Sequence, residues 1–175
     1  KLQGQMRQDL NDMIGMLDAT LSYLHEQRTS ETRHWLDVQA LVESMSENAQ
    51  DQGSDVQCAG TCVPLQVQPM ALRSCLNNLI DNALRYAGTA RVELEDSREA
   101  LVIRVIDHGP GIAEADLEHL TERFWRNGQS GGCGLGLAIV QAIVQRCAGS
   151  LRFDSRSDGL RVFLQVPARP GHRQK

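Results

Sequence analysis

The feature that most limits what this chain can become is a set of four short blocks in a fixed order. Asn78-Leu79-Ile80-Asp81-Asn82-Ala83 is followed by Asp107-His108-Gly109-Pro110-Gly111, then by Glu122-Arg123-Phe124-Trp125-Arg126, and last by Gly132-Cys133-Gly134-Leu135-Gly136-Leu137. Asn78 and Asn82 are one helical turn apart, so their amides leave the same face of a helix. Amide oxygens are hard, neutral donors that suit Mg²⁺ when phosphates bring most of the negative charge. Asp107 ends an apolar run just before Gly109 and Gly111. A buried carboxylate accepts a hydrogen bond from the exocyclic amine of adenine, and flanking glycines let the backbone turn close to a base. Glycine amides at a helix start cradle phosphate oxygens. The last block is not a dinucleotide fingerprint, because no strand precedes it and its third glycine comes one residue early. It is not a Walker loop either, because no Gly-Lys-Ser/Thr follows.

Bulk properties narrow the classes further. The formal net charge is −4, with no basic face or aromatic-basic ladder, which argues against nucleic acid as a partner. No apolar run approaches the roughly 20 residues needed to span a bilayer. No secretory signal is seen, and a start at Lys1 suggests a piece of something longer. The 5 cysteines are an odd count, so reduced thiols are expected rather than a disulfide framework. Cys58 and Cys62 have no second ligand pair with zinc-like spacing after them. Cys133, within the glycine-rich stretch, is a candidate reactive thiol.

Periodicity divides the chain. Residues 3–26 read as a helix with a heptad seam at Met6, Leu10, Met13, Leu17 and Leu24, widened by Ile14 and Leu21. It reads either as an amphipathic helix on its own domain or, preferably, as one helix of an intermolecular bundle. A polar break at 27–33 separates it from the rest. A short strand at 35–38 enters a helix capped by Asp37 and running to about Gln50. Strands at 56–59 and 62–67 flank an Ala-Gly-Thr turn, and Pro69 opens a helix through Tyr86. Residues 90–94 and 101–106 form a hairpin pair, and a helix follows from about Leu135 to Cys147. Strands near 150–154 and 160–166 flank a turn at Ser157-Asp158-Gly159, and the polar tail from Ala168 to Lys175 is expected to be disordered. The predicted fold is α+β, a two-layer sandwich of a mixed sheet with helices on one face. The predicted division is a helix and linker at 1–30, a folded domain at 31–168 and a tail at 169–175.

The four blocks resemble the N, G1, F and G2 boxes of the ATP-binding domain of sensor histidine kinases, over roughly residues 35–167. The resemblance implies ATP and Mg²⁺ as ligands, and it reads 1–30 as a partial dimerisation helix with its linker, 31–168 as an ATP-binding domain and 169–175 as a disordered tail. Asn82, supported by Asn78, would hold the metal, Arg85 would meet a phosphate and Tyr86 would flank the adenine. Asp107, Gly109, Gly111 and Ile112 would form the base site. Gly132, Gly134, Leu135, Gly136 and Leu137 would make the hinge and floor of an ATP lid. Phe124 would anchor that lid by packing, Arg126 would reach the terminal phosphate, and 127–131 would be mobile without nucleotide. Two positions depart from the pattern. Cys133 stands where the family often has a hydroxyl, and Leu160, Arg161 and Val162 stand where it often has a glycine and a threonine supporting the aspartate.

A histidine kinase phosphorylates a histidine on a helical hairpin ahead of its ATP domain. His25-Glu26-Gln27-Arg28-Thr29-Ser30 is similar to that site, but too few residues separate His25 from the first strand for a second hairpin helix to intervene. Residues 3–26 are read instead as the second hairpin helix, and the phosphoacceptor as absent. The expected function is therefore to position ATP·Mg²⁺ for γ-phosphoryl transfer to a histidine elsewhere. The resemblance further implies a homodimer, a response-regulator receiver as partner, and a cytoplasmic location in an inner-membrane protein anchored by other segments. One alternative is a nucleotide-binding module of the same fold without catalysis. Another is a hydrolytic ATPase, which would need a glutamate one turn before the metal asparagine, where Asn78 stands.

Overall fold

The computed structural model describes residues 2–28, 31–126 and 133–167. Gly132, the 127–131 lid segment and the 168–175 tail lie outside the described residues. The order is α1 (Leu2–Arg28), β1 (His34–Leu36), α2 (Val38–Asp51), β2 (Asp55–Thr61), β3 (Leu65–Val67) and α3 (Pro69–Ala87). It continues with β4 (Thr89–Asp96), β5 (Ala100–Ile106), α4 (Glu114–Leu117), α5 (Gly136–Arg146), β6 (Ser150–Arg156) and β7 (Gly159–Pro167).

Local chemistry sets the helix limits. Asp37 Oδ1 accepts from the Ala40 amide at 3.0 Å and starts α2, as expected from its place before the apolar period. Pro69 opens α3, and Gly88 closes it in the left-handed conformation. The single four-residue turn of α4 was not foreseen.

Five strands form one sheet in the order β2-β4-β5-β7-β6, and β1 pairs with β3 in a separate two-stranded sheet. Of the four ladders in the five-stranded sheet, β2–β4 is parallel and the other three are antiparallel. Alternation decides which face is covered. Ala90, Val92 and Leu94 on β4, Leu101, Ile103 and Val105 on β5, and Val162 and Leu164 on β7 are all buried. The α3 residues Leu72, Leu76, Leu79, Ile80 and Ala83 and the α5 residues Ile139, Val140, Ile143 and Val144 pack into the same core. The opposite face carries ion pairs such as Arg91 with Glu93 and Arg104 with Glu95. One covered and one solvated sheet face make the expected two-layer α+β sandwich.

Two expectations need correction. The Ala-Gly-Thr segment is not a turn: β2 runs through Gly60 to Thr61, paired with β4 throughout. A Cβ at Gly60 would sit 2.1 Å from the Leu94 carbonyl oxygen, so the glycine serves close strand approach rather than chain reversal. The two flanking segments also do not pair with each other, since β3 leaves for the small sheet. The heptad seam of α1 is largely exposed, while other α1 residues meet the domain. Met6, Leu10, Met13, Leu17 and Leu24 are between 47% and 61% exposed, so most of the heptad seam is left open to solvent. Tyr23 does pack on the core, and Arg123 lies over its ring at 6.0 Å.

Candidate functional site

A cavity of about 1010 Å³ opens between α3, the start of α5, the 107–112 segment and one side of α1. Its volume suits a nucleotide-sized ligand. Asn78, Asn82, Arg85, Tyr86, Asp107, Gly111, Ile112, Phe124, Arg126, Gly134, Gly136 and Leu137 all line it. Four blocks scattered over the sequence therefore share one hollow.

At one end the two asparagines converge. Asn78 Nδ2 donates to the Ser74 carbonyl at 2.9 Å, which fixes the amide orientation, because a carbonyl only accepts. The oxygens face α5: a Cβ at Gly136 would lie 3.1 Å from Asn78 Oδ1 and 3.7 Å from Asn82 Oδ1. Both oxygens thus meet at a helix N-terminus, where the local field favours anions. Among the described residues no cluster of three or more His, Cys, Asp or Glu side chains exists that would hold a metal by itself. A neutral oxygen pair beside an anion site fits a metal that arrives with phosphates. Asp81 and Arg85 sit on the same rim. Partial desolvation pushes the Asp81 carboxyl above the ordinary carboxylate value, and the Arg85 guanidinium opposes part of that shift.

At the other end Asp107 is buried, and Oδ1 accepts from the backbone amides of Gly109 at 3.0 Å and Leu160 at 3.1 Å. Gly159 makes the second contact possible. It adopts φ +134, and a Cβ there would lie 1.9 Å from the Asp107 carbonyl oxygen. The missing threonine is thus replaced by main-chain donors. A hydroxyl does arrive nearby, from Ser155. Its Oγ accepts from the Ile112 amide at 2.7 Å and donates to the Ile112 carbonyl at 2.8 Å, which ties the 111–112 turn to β6.

Between these ends the hinge differs from expectation. Phe124 lines the cavity but is 54% exposed, so ring packing does not anchor this segment. Its backbone does: Phe124, at φ 65, donates to the Gly134 carbonyl at 2.9 Å. A non-glycine residue held there stores strain. Gly109 and Leu135 are not in the lining. Gly109 acts through its amide on Asp107, and Leu135 is a buried core residue at the α5 N-cap. Sequence reasoning missed Asp81, Leu120, Trp125 and the α1 residues Met13 and Met16 as wall residues. Asp81 was legible as a neighbour of Asn82, whereas the α1 residues carry no local signal.

Similarity to known proteins shows the family. The model of the family described as histidine kinase-, DNA gyrase B-, and HSP90-like ATPase matches residues 67–170, and the chain belongs to that family. Over 169 residues it is 33% identical to the sensor histidine kinase GtrS of Pseudomonas aeruginosa, which covers 95% of this chain and 36% of GtrS. It is 39% identical over 111 residues to the sensor histidine kinase CpxA of Escherichia coli, covering 59% of this chain and 24% of CpxA. The chain thus matches 36% of the length of GtrS and 24% of the length of CpxA, a minor part of each relative. The mycobacterial sensor histidine kinase MprB matches with a TM-score of 0.67 at 27% identity, over 79% of this chain and 99% of that one. The full-length ShkA structure in complex with AMPPNP matches with a TM-score of 0.78 at 19% identity, over 97% of this chain and 38% of ShkA, a likeness of fold alone.

Proposed function

We propose that this chain is the ATP-binding catalytic part of a sensor histidine kinase and that its cavity holds ATP·Mg²⁺ for transfer of the γ-phosphoryl group to a histidine on a helical hairpin. The observation that carries the reading is the shared cavity, with an amide-oxygen pair at one end and a buried, backbone-anchored carboxylate at the other. Asp107 would accept from the adenine amine, and Tyr86 would cover the base. Asn82 and Asn78 would hold the magnesium, whose contribution when bound is to neutralise phosphate charge. Arg85 and Arg126 would add cationic contacts to phosphate oxygens. In the transfer a histidine ring nitrogen bonds to the γ-phosphorus, the bond to the β–γ bridging oxygen breaks, and ADP leaves. The protein's share is placement and electrostatics.

The exposed heptad seam of α1 supports assembly through a helical bundle with a second copy, as expected of the hairpin's second helix. A response-regulator receiver as the next acceptor, a cytoplasmic location and a membrane anchor in other segments complete the reading. Among the described residues no helix is long and apolar enough to cross a membrane.

Titration calorimetry with a non-hydrolysable ATP analogue, with and without Mg²⁺, tests the cavity. Asn82→Ala should abolish the Mg²⁺-dependent part of the affinity. Unchanged binding in that variant removes Asn82 from the site. Incubation with ATP and a separately supplied histidine-bearing hairpin tests the transfer: nucleotide binding with no labelled hairpin would favour a non-catalytic module.

A further inference from the structure

Two residues between the end of α1 and β1 grip both helices that wall the cavity. Glu31 Oε1 accepts from the Met70 amide at 2.8 Å, and Oε2 accepts from the Ala71 amide at 3.0 Å. These are first-turn amides of α3, whose own N-cap residue, Gln68, makes no capping bond with its side chain. Gln68 instead donates through Nε2 to the Glu31 carbonyl at 2.6 Å and accepts from Cys147 Sγ at 2.9 Å. Cys147 is the C-cap residue of α5, and its carbonyl accepts from Arg33 Nη2 at 3.5 Å. An anion therefore sits on one helix N-terminus and a cation beside another helix's C-terminus, each the sign that the local helix field favours.

The two helices run antiparallel. Gln68 meets Cys147 at one end of the pair, and Asn78 faces Gly136 at the other. The linker thus fixes the end of the pair remote from the amide oxygens. Packed helices shift as rigid bodies, so spacing set at one end is felt at the other. We propose that Glu31 and Arg33 form a clamp that sets the spacing of α3 and α5 and thereby tunes nucleotide affinity, with Glu31 a positioning residue for Asn78 and Asn82. The proposal rests on the nucleotide reading of the cavity. Glu31 stands three positions after Arg28, the last residue of α1. A displacement of α1, which itself lines part of the cavity, is therefore also carried along the chain to the carboxylate that caps α3.

The test uses the whole chain, Mg²⁺ and a non-hydrolysable ATP analogue. Glu31→Ala weakens the analogue's affinity at least about fivefold, the low end of coupling between linked sites. Glu31→Gln, which keeps one acceptor oxygen, falls between that variant and the wild type. Residue-resolved hydrogen exchange gives the second readout: the analogue slows exchange at the Met70 and Ala71 amides in the wild type and not in Glu31→Ala. Asp37→Ala, which removes the α2 cap, controls for general destabilisation and keeps the affinity within about twofold while lowering the melting temperature. Wild-type affinity in Glu31→Ala, or an equal loss in Asp37→Ala, overturns the clamp alone. Failure of the wild type to bind the analogue overturns the cavity reading, and the clamp falls with it.

Discussion

The two ends of the cavity are built on different principles. The aspartate end is held mainly through the backbone: Gly109 and Leu160 amides bond Asp107, and the Ser155 hydroxyl bridges both main-chain groups of Ile112. The asparagine end relies on side-chain orientation, with Asn78 tied back to Ser74 and both amide oxygens aimed at Gly136. One end is rigid by construction, because short-range backbone contacts fix it. The other is set by how two helices sit against each other, so it is the adjustable end. Backbone closure at Phe124 and Gly134 lies on the adjustable side.

The contrast breaks first at Gly159. Gly159→Ala would drive a Cβ to 1.9 Å from the Asp107 carbonyl oxygen at a φ that side chains rarely adopt. The expected outcome is a loss of about 3 kcal/mol or more in urea denaturation together with loss of nucleotide binding. Near-native stability in that variant would mean that β7 has slack and that the aspartate end is not rigid.

At the adjustable end the expected effect is smaller and separates affinity from stability. A Cβ in Gly136→Ala would press on Asn78 Oδ1 at 3.1 Å, although alanine is the better helix former. The melting temperature should hold or rise, while the Mg²⁺-dependent affinity falls about tenfold, or about 1.4 kcal/mol. Calorimetry showing equal affinity would detach the oxygen pair from the start of α5.

Asp81 gives the gentlest test. Its folded pKa is raised, so the folded state binds the proton more tightly than the unfolded state. Stability from this group therefore falls as pH rises from the unfolded to the folded value, and the penalty is complete above the latter. Asp81→Asn should raise the melting temperature slightly at neutral pH and leave it unchanged near about pH 3, below the ordinary carboxylate value. A gain of equal size at both pH values would assign the effect to packing rather than charge.

Much of this was legible in the sequence because it rests on local rules. Asp37 as a cap, Pro69 as a helix start and the 89–106 hairpin follow from residue type and period. The four blocks were read together because asparagine, aspartate and glycine have few other reasons to fall in that order, and residues of each line one cavity. What stayed hidden is carried by contacts far apart in the chain or by atoms that every residue owns. Glu31 caps α3 across roughly forty positions, a distance no local pattern spans. Ser155 reaches Ile112 from another strand, and Leu160 supports Asp107 through an amide that its side chain does not advertise. Gly60 misled because glycine marks both turns and close strand approach, and only tertiary packing decides between them.

The use of a peptide N–H from Leu160 has an evolutionary corollary. A supporting hydroxyl can be erased by any single-codon change that replaces its residue. A peptide donor survives every substitution at its own position except proline, which has no N–H. The anchoring of Asp107 is therefore insulated from drift at position 160, and the hereditary burden moves to Gly159, where no replacement fits.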